Sequence, residues 1–350
     1  MTTDVTQDNT QPRRRRVVIK RIVRILGACV LALVLAGMIA WATLAVALAD
    51  LETHPPRYLR ASLIPILTIA GVIVVKPRRF KWFVPMLVFA GALIWFLSLQ
   101  ASNVRDWQTE VARVAHADID GDRLTLHNVR NFDYQPGGEA IPRWEERTYD
   151  LARLKTVDLI LCYWGSPDVA HIIGSFGFDD GRFLAVSIET RREKNEKQSS
   201  IQSLFRQYEL IYVFGDERDL LRLRTNYRKE DLYLYRTRMS PAQARKILLS
   251  YLARANELAA NPDWYNTITT NCATGVLPHA RAAGAPGRWS LDVLFSGRAA
   301  RQAYHNGLIN TRLPFEELKA RSRINSAAVA AEEAADFSKR IRADLPEANP

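Results

Sequence analysis

The chain has 350 residues, 48% of them hydrophobic, and a formal net charge of +11. Residues 1–103 hold 13 Lys/Arg against 4 Asp/Glu, whereas residues 104–350 hold 35 against 33. A basic excess confined to the surroundings of apolar segments leaves no footprint for nucleic acid, and three cysteines are too few for a disulfide framework.

Residues 1–24 form a basic tail in which Arg13 to Arg16, Lys20, Arg21 and Arg24 precede the first apolar run. Residues 25–49 are then uncharged for 25 positions, more than the ~20 needed to cross a bilayer. The competing reading, a cleaved signal peptide ending at Ala47-Leu48-Ala49, is disfavoured by that length and by the apolar segments that follow. A second span at 58–75 is weaker, because its uncharged part reaches only ~22 Å at ~1.5 Å per residue. A third lies at 82–100, with Trp82 and Trp95 placed to anchor at an interface. Lys76, Arg78, Arg79 and Lys81 separate the last two and read as a cytoplasmic loop. The loop 50–60, which contains His54, has no positive excess. A cytoplasmic N-terminus and three spans within a membrane domain at 25–103 therefore put residue 104 onward outside the cytoplasm.

Residues 104–326 suffice for one sizeable domain. Two strands are expected within 111–129, joined at Asp118-Ile119-Asp120-Gly121-Asp122. That acidic turn lacks the later glutamate of a calcium loop and reads as a plain hairpin, so no metal is expected. Gln135-Pro136-Gly137-Gly138 is a loop. Further strands are expected at 148–151, 157–163, 170–178, 183–189, 210–213 and 231–236, with Asp179-Asp180-Gly181-Arg182 as a hairpin turn. The segment 191–203 is charged and reads as an exposed excursion. Ser240-Pro241 opens a helix that runs to Leu258 and stops at Asn261-Pro262. Gly284-Ala285-Pro286-Gly287 is a turn before further helical segments, and residues 327–350 are a terminal helix or frayed tail. The mix predicts an α+β domain, one antiparallel sheet packed against helices.

Cys272 lies in Thr269-Thr270-Asn271-Cys272-Ala273-Thr274-Gly275, where a polar loop enters an alanine-rich helix. At the first turn of a helix a thiol feels the positive end of the backbone dipole, which lowers its pKa. His171, in the apolar segment Ala170-His171-Ile172-Ile173-Gly174, is the candidate base; an imidazole within ~3 Å of the sulfur can take its proton. His279 competes, but seven residues along one helix is roughly 10 Å of rise, and Pro278 interrupts. Ser187 and Glu189 alternate onto one face of the next strand, so either could orient the imidazole. Tyr163 and Trp164 line the cleft or simply pack; the backbone around Asn271, Cys272 and Ala273 offers an oxyanion hole. Cys162 sits in a buried-strand pattern, and two free thiols are favoured over a Cys162–Cys272 bridge. Arg222, Arg224, Arg228 and Lys229 read first as a solvated face and second as a site for lipid phosphates.

The runs Asp106-Trp107-Gln108, Asn128-Val129-Arg130-Asn131-Phe132-Asp133-Tyr134, Tyr163-Trp164-Gly165-Ser166, Ala170-His171, Ser187-Ile188-Glu189-Thr190-Arg191 and Thr270-Asn271-Cys272 carry a resemblance in combination. Across roughly residues 105–310 the chain resembles the bacterial periplasmic domain family named after the lipoprotein N-acyltransferase Lnb. The His-before-Cys order of that family is similar to circularly permuted papain-like cysteine hydrolases and acyltransferases. The resemblance implies a periplasmic domain on a bacterial inner-membrane anchor, Cys272 carrying an acyl thioester, His171 as base and a polar residue of the next strand as its orienter. It implies no cofactor. A membrane phospholipid or lipoprotein is the expected substrate and the bilayer the expected partner. Members of the Lnb type carry additional spans after this domain, whereas here the spans precede it. Three functions follow as expectations: a thiol acyltransferase, a cell-wall cysteine amidase or endopeptidase with the same chemistry, and a non-catalytic envelope assembly module.

Overall fold

The computed structural model describes residues 11–49, 57–135, 137–285 and 295–348. The loop after the first span, with His54, and the Pro286-Gly287 turn lie outside the described residues, as does Pro136 of the Gln135–Gly138 loop. Met1–Leu99 and Gln100–Pro350 form separate compact units. The first holds three apolar helices, α1 (Gln11–Leu48), α2 (Arg57–Val74) and α3 (Phe83–Ser98). Val18–Leu48, Arg57–Val74 and Arg78–Ser98 are each long and apolar enough to cross a membrane by length and composition. At ~1.5 Å per residue, the 18 residues of α2 reach ~27 Å, so including its polar first turn brings the weakest span close to bilayer thickness.

The second unit is a mixed α/β domain around an eight-stranded sheet. Its strands are β1 (His116–Asp120), β2 (Arg123–Arg130), β5 (Trp144–Asp150), β6 (Leu154–Tyr163), β7 (Ala170–Phe178), β8 (Phe183–Arg191), β9 (Glu209–Gly215) and β10 (Asp231–Arg236), while β3 (Asp133–Tyr134) and β4 (Ala140–Ile141) form a separate ribbon. The order is β1-β2-β9-β8-β7-β6-β10, with β5 also on β2. All pairings are antiparallel except a single parallel contact of β2 with β9, at Arg130 and Gly215. The first hairpin differs from expectation. Residues 109–111 form a 3₁₀ turn and pairing starts only at His116, so the turn is confined to Gly121-Asp122. Gly121 has φ +59, the left-handed conformation that a tight turn asks of glycine.

Alternation along the strands gives the sheet two buried faces. Phe176, Val186, Ile188 and Tyr212 face α5 (Pro241–Ala260), which buries Ile247, Leu248, Tyr251, Leu252, Ala255 and Leu258 against them. Ser240 and Gln243 close a reciprocal capping box at the start of α5. On the other face Ile160, Ile173, Val213 and Leu234 meet α4 (Glu217–Arg222) together with Ile324, Ala328, Phe337 and Ile341. The tail beyond residue 326 is therefore built into the core. Arg342 is its polar anchor: Nε reaches Asp158 Oδ2 at 2.9 Å, and Nη1 and Nη2 reach Glu217 at 2.7 and 2.6 Å. The 191–203 segment is likewise tied down. Gln108 Nε2 donates to the carbonyls of Glu193 and Glu196, and buried Arg191 donates to those of Val111 and Ala112 while lying over the Trp107 ring.

Breaking the Arg342 cluster leaves buried Glu217 without its cation and Asp158 with only Arg236, at 3.7 Å, a situation that costs ~3–5 kcal/mol. Arg342→Ala should lower the unfolding midpoint accordingly in denaturant titrations, while Arg340→Ala, at an exposed pair with Asp336, should leave it unchanged. Equal midpoints for the two variants would contradict the buried role of Arg342.

Candidate active site

The site forms where the start of β7, the end of β8 and the loop after α5 meet. Antiparallel pairing sets Ile173 opposite Ser187, which brings the preceding inward residue of β7, His171, beside Glu189. His171 Nε2 lies 2.6 Å from Ser187 Oγ and 3.1 Å from Glu189 Oε1. Ser187 Oγ donates to the same Glu189 oxygen at 2.6 Å. Both candidate orienters thus act together, the serine as a bridge within a carboxylate–imidazole contact. With Nε2 committed to them, Nδ1 is the nitrogen left for Cys272, whose thiol is hydrogen-bonded to the imidazole. The sulfur also accepts the backbone N–H of Ile172.

Cys272 lies just ahead of a regular helix. The helix α6 spans Val276–Ala282, and residues 272–275 form the turn that leads into it. Asn271 caps that turn: its Oδ1 accepts the N–H groups of Ala273 and Thr274, each at 2.8 Å, while its carbonyl accepts Gly275 N–H at 2.8 Å. A Cβ on Gly275 would sit 2.8 Å from both the Asn271 carbonyl oxygen and Ile188 Cδ1, so glycine lets the turn press onto β8. Capping also corrects the expected oxyanion hole, because the Ala273 N–H is consumed by Asn271. The N–H of Cys272 itself donates to the Tyr265 hydroxyl, whose proton is the one left beside the sulfur. Nothing in the sequence around Tyr265 marked it; only the return of the 261–270 loop to β9, through Tyr265 N–H on the Tyr208 carbonyl, brings it here.

Electrostatics favour a charged pair. Burial pushes the Cys272 thiol up, but the hydrogen bond and charge of His171 and the Ile172 N–H bring it below its ordinary value. For His171 burial acts to lower the pKa; the Glu189 charge overrides it and raises the imidazole to about 9. Burial would raise Glu189, yet His171 and Arg224 hold its carboxyl well below the usual range. Arg224 Nη2 is 3.0 Å from Glu189 Oε1 and Nη1 is 2.9 Å from Glu230 Oε2. This corrects the reading of Arg222 and Arg224 as a solvated face: both are buried and ion-paired, Arg222 with Asp133. Arg224 is delivered by a π turn at Leu223–Tyr227. Such turns recur at functional sites.

The other candidates separate. Tyr163 donates to the Gly297 carbonyl at 2.6 Å and packs edge-on to Tyr233, whereas half-exposed Trp164 lines a cavity beside His171. His279 stacks on Tyr251, with Nδ1 2.8 Å from Ser250 Oγ and Nε2 3.0 Å from Tyr212 Oη, and burial lowers it to about 4. All three cysteines are free thiols, and burial pushes Cys162 up to about 12. Among the described residues no group of three or more His, Cys, Asp or Glu side chains could hold a metal ion.

Two cavities approach the Cys272–His171 pair from opposite faces of β7. One, of about 180 Å³, is apolar and lined by Ile172, Phe176, Ala273, Val276 and Leu277. The other, of about 440 Å³, is polar and lined by His171, Ser187, Glu189 and several arginines.

Residues 140–295 match the Lnb N-terminal periplasmic domain family, the family the sequence resembles. No curated protein and no solved structure matches the chain. The match and the three apolar helices fit a membrane protein with a periplasmic domain, an envelope protein related to Lnb.

The pair should react as thiolate and imidazolium. Alkylation of Cys272 by iodoacetamide should rise with pH at a midpoint below the ~8.5 of an ordinary thiol. In His171→Ala the cation is gone while burial remains, so the midpoint should move above ~8.5 and the neutral-pH rate should fall by ~10-fold or more. An unchanged midpoint would remove His171 from the site.

Proposed function

We propose that the domain is a membrane-tethered periplasmic thiol acyltransferase, with Cys272 as nucleophile and His171 as its acid and base, on a circularly permuted papain-like plan. The observation that carries the reading is the apolar cavity whose wall includes both neighbours of the pair, Ile172 beside His171 and Ala273 beside Cys272. An acyl chain in that cavity would bring its ester carbonyl to the sulfur. The thiolate attacks the carbonyl carbon, and the negative charge that develops on oxygen is met by the Tyr265 hydroxyl, which the Cys272 N–H polarises by donating to its oxygen. Burial, with the Cys272 charge next, raises the pKa of Tyr265, which keeps its proton available for donation. The imidazolium gives its proton to the leaving alkoxide as the C–O bond breaks, leaving a thioester on Cys272 and neutral His171. An acceptor amine then attacks the thioester, His171 takes the amine proton, and the thiolate leaves. Glu189 and Ser187 hold the ring and its charge through both halves.

A second reading, a cysteine amidase or endopeptidase of the cell wall, is favoured by the polar cavity beside His171, which suits a peptide carboxylate. Intact-mass measurement after incubation with envelope lipids separates the readings. The acyltransferase predicts a covalent acyl adduct on the wild type and none on Cys272→Ser. Cleavage of cell-wall peptides without an acyl adduct would support the amidase, and neither product would leave a non-catalytic module. Tyr265→Phe should slow adduct formation by ~10²–10³-fold, the cost of losing one oxyanion donor, while Cys272 remains open to alkylation.

A further inference from the structure

We propose that the polar cavity beside His171 binds the phosphodiester of a glycerophospholipid through Arg192 and Arg228, which makes a phospholipid the acyl donor. Four guanidinium groups line this cavity, and they are not equivalent. Arg130 is held by a bidentate contact to Asp219, at 2.8 and 2.9 Å, and Arg224 is held by Glu189 and Glu230. Arg192 and Arg228 have no carboxylate partner among the described residues, and Arg192 Nε is buried without any hydrogen-bond acceptor. The remaining lining carboxylate, Glu110, is ion-paired to neither. An unpaired buried donor costs about 1–3 kcal/mol until an acceptor arrives. Desolvation within the cavity and then the nearby charge of Arg224 push the Arg228 guanidinium down, which an incoming anion would relieve.

The two free forks come from different elements, Arg192 from just after β8 and Arg228 from just after the π turn. Donors converging from two directions suit a tetrahedral phosphate, whose two free oxygens point apart, better than one flat carboxylate. Gln198 and Ser200 add neutral polar groups to the same wall. The apolar cavity then fixes what carries the phosphate. It lies across β7, against Ile172 and Ala273, so a ligand that occupies both cavities must carry an acyl ester and an anion in one molecule. A glycerophospholipid has that constitution; a free phosphate has the anion alone, and a diacylglycerol the ester alone. This assignment rests on the acyltransferase reading for the donor's role, but the anion site stands on its own geometry.

The experiment uses the full chain in detergent with three probes: dihexanoyl phosphatidylglycerol, dihexanoyl glycerol and glycerol 3-phosphate. The two acyl donors are compared by the rate of adduct formation on Cys272 in intact-mass time courses, and binding of the two phosphates is measured by calorimetry on Cys272→Ser. The phospholipid should acylate the wild type at least ~10-fold faster than the diacylglycerol, and Arg192→Gln or Arg228→Gln should remove about that factor for the phospholipid alone. Both variants should keep the wild-type pH midpoint of alkylation, and both should weaken phosphate binding. Equal rates from the two donors, equal losses on both in the variants, or a cell-wall peptide carboxylate that binds in place of phosphate would overturn the proposal. Phosphate binding that depends on both arginines, with no adduct from either donor, would retain the anion site and reject the acyltransferase reading.

Discussion

One carboxylate organises the site. Glu189 Oε1 is shared by His171, Ser187 and Arg224, at 3.1, 2.6 and 3.0 Å. A carboxylate that is largely, though not wholly, shielded from water, its side chain 26% exposed, is pushed toward taking up a proton, and then it could neither charge the imidazole nor hold the arginine. Arg224 prevents this by supplying a permanent cation whose own position is fixed by Glu230. The price is that Arg224 also opposes the charge on His171, and the raised imidazole pKa shows that the nearer Glu189 outweighs it. The lowered pKa of Cys272 therefore depends on a chain of charged groups, Glu230, Arg224, Glu189 and His171, in which each member steadies the next.

The sheet exists in the form that this chain requires. A strand alternates its side chains, so His171 can face the charge network while Ile172 and Ala170 face the apolar side. The same alternation puts Ser187 and Glu189 on one face of β8, with Val186 and Ile188 in the α5 core on the other. Gly275 lets the Cys272 turn seat against Ile188, which sets the sulfur at the boundary between the two faces. A reacting group at that boundary has apolar walls on one side and guanidinium groups on the other.

Much of this was legible from residue order. Strands β7 and β10 fall on the expected residues, and β6, β8 and β9 extend the expected ranges by only a few, because apolar alternation between turn signals leaves little freedom. The α5 boundaries follow from Ser240-Pro241 and Asn261-Pro262. His171, Ser187, Glu189 and Cys272 were recognisable as chemically apt types at compatible places. What escaped was long-range. Arg224 looked like part of an exposed basic run, since nothing local shows that a π turn will bury it against Glu189. The tail beyond residue 326 looked expendable because alanines and charges alternate there, yet its few large apolar residues are the ones that cover the second face. Tyr265 lies in a loop whose path is set by pairing with β9, information that no local pattern contains.

The motifs that carry the family resemblance divide between chemistry and scaffold, and the division explains why they occur together. His171, Glu189 and Cys272 form the candidate site, but Arg130, Tyr134 and Asp133 do not touch it. Arg130 and Tyr134 converge on Asp219, and Asp133 pairs with Arg222, so α4 is fixed both to β2 and to the ribbon strand that follows it. The π turn follows α4 directly and carries Arg224. Distortion of the Asp219 cluster would thus move Arg224, and through it the carboxylate that charges His171. Trp107 and Arg191 play the corresponding part at the end of β8, where the guanidinium lies 4.2 Å from the centre of the indole ring and fixes the strand two residues beyond Glu189. Residues remote from the sulfur are therefore bound to it by electrostatics, since a charge network tolerates little displacement of any member when the medium around it is dry.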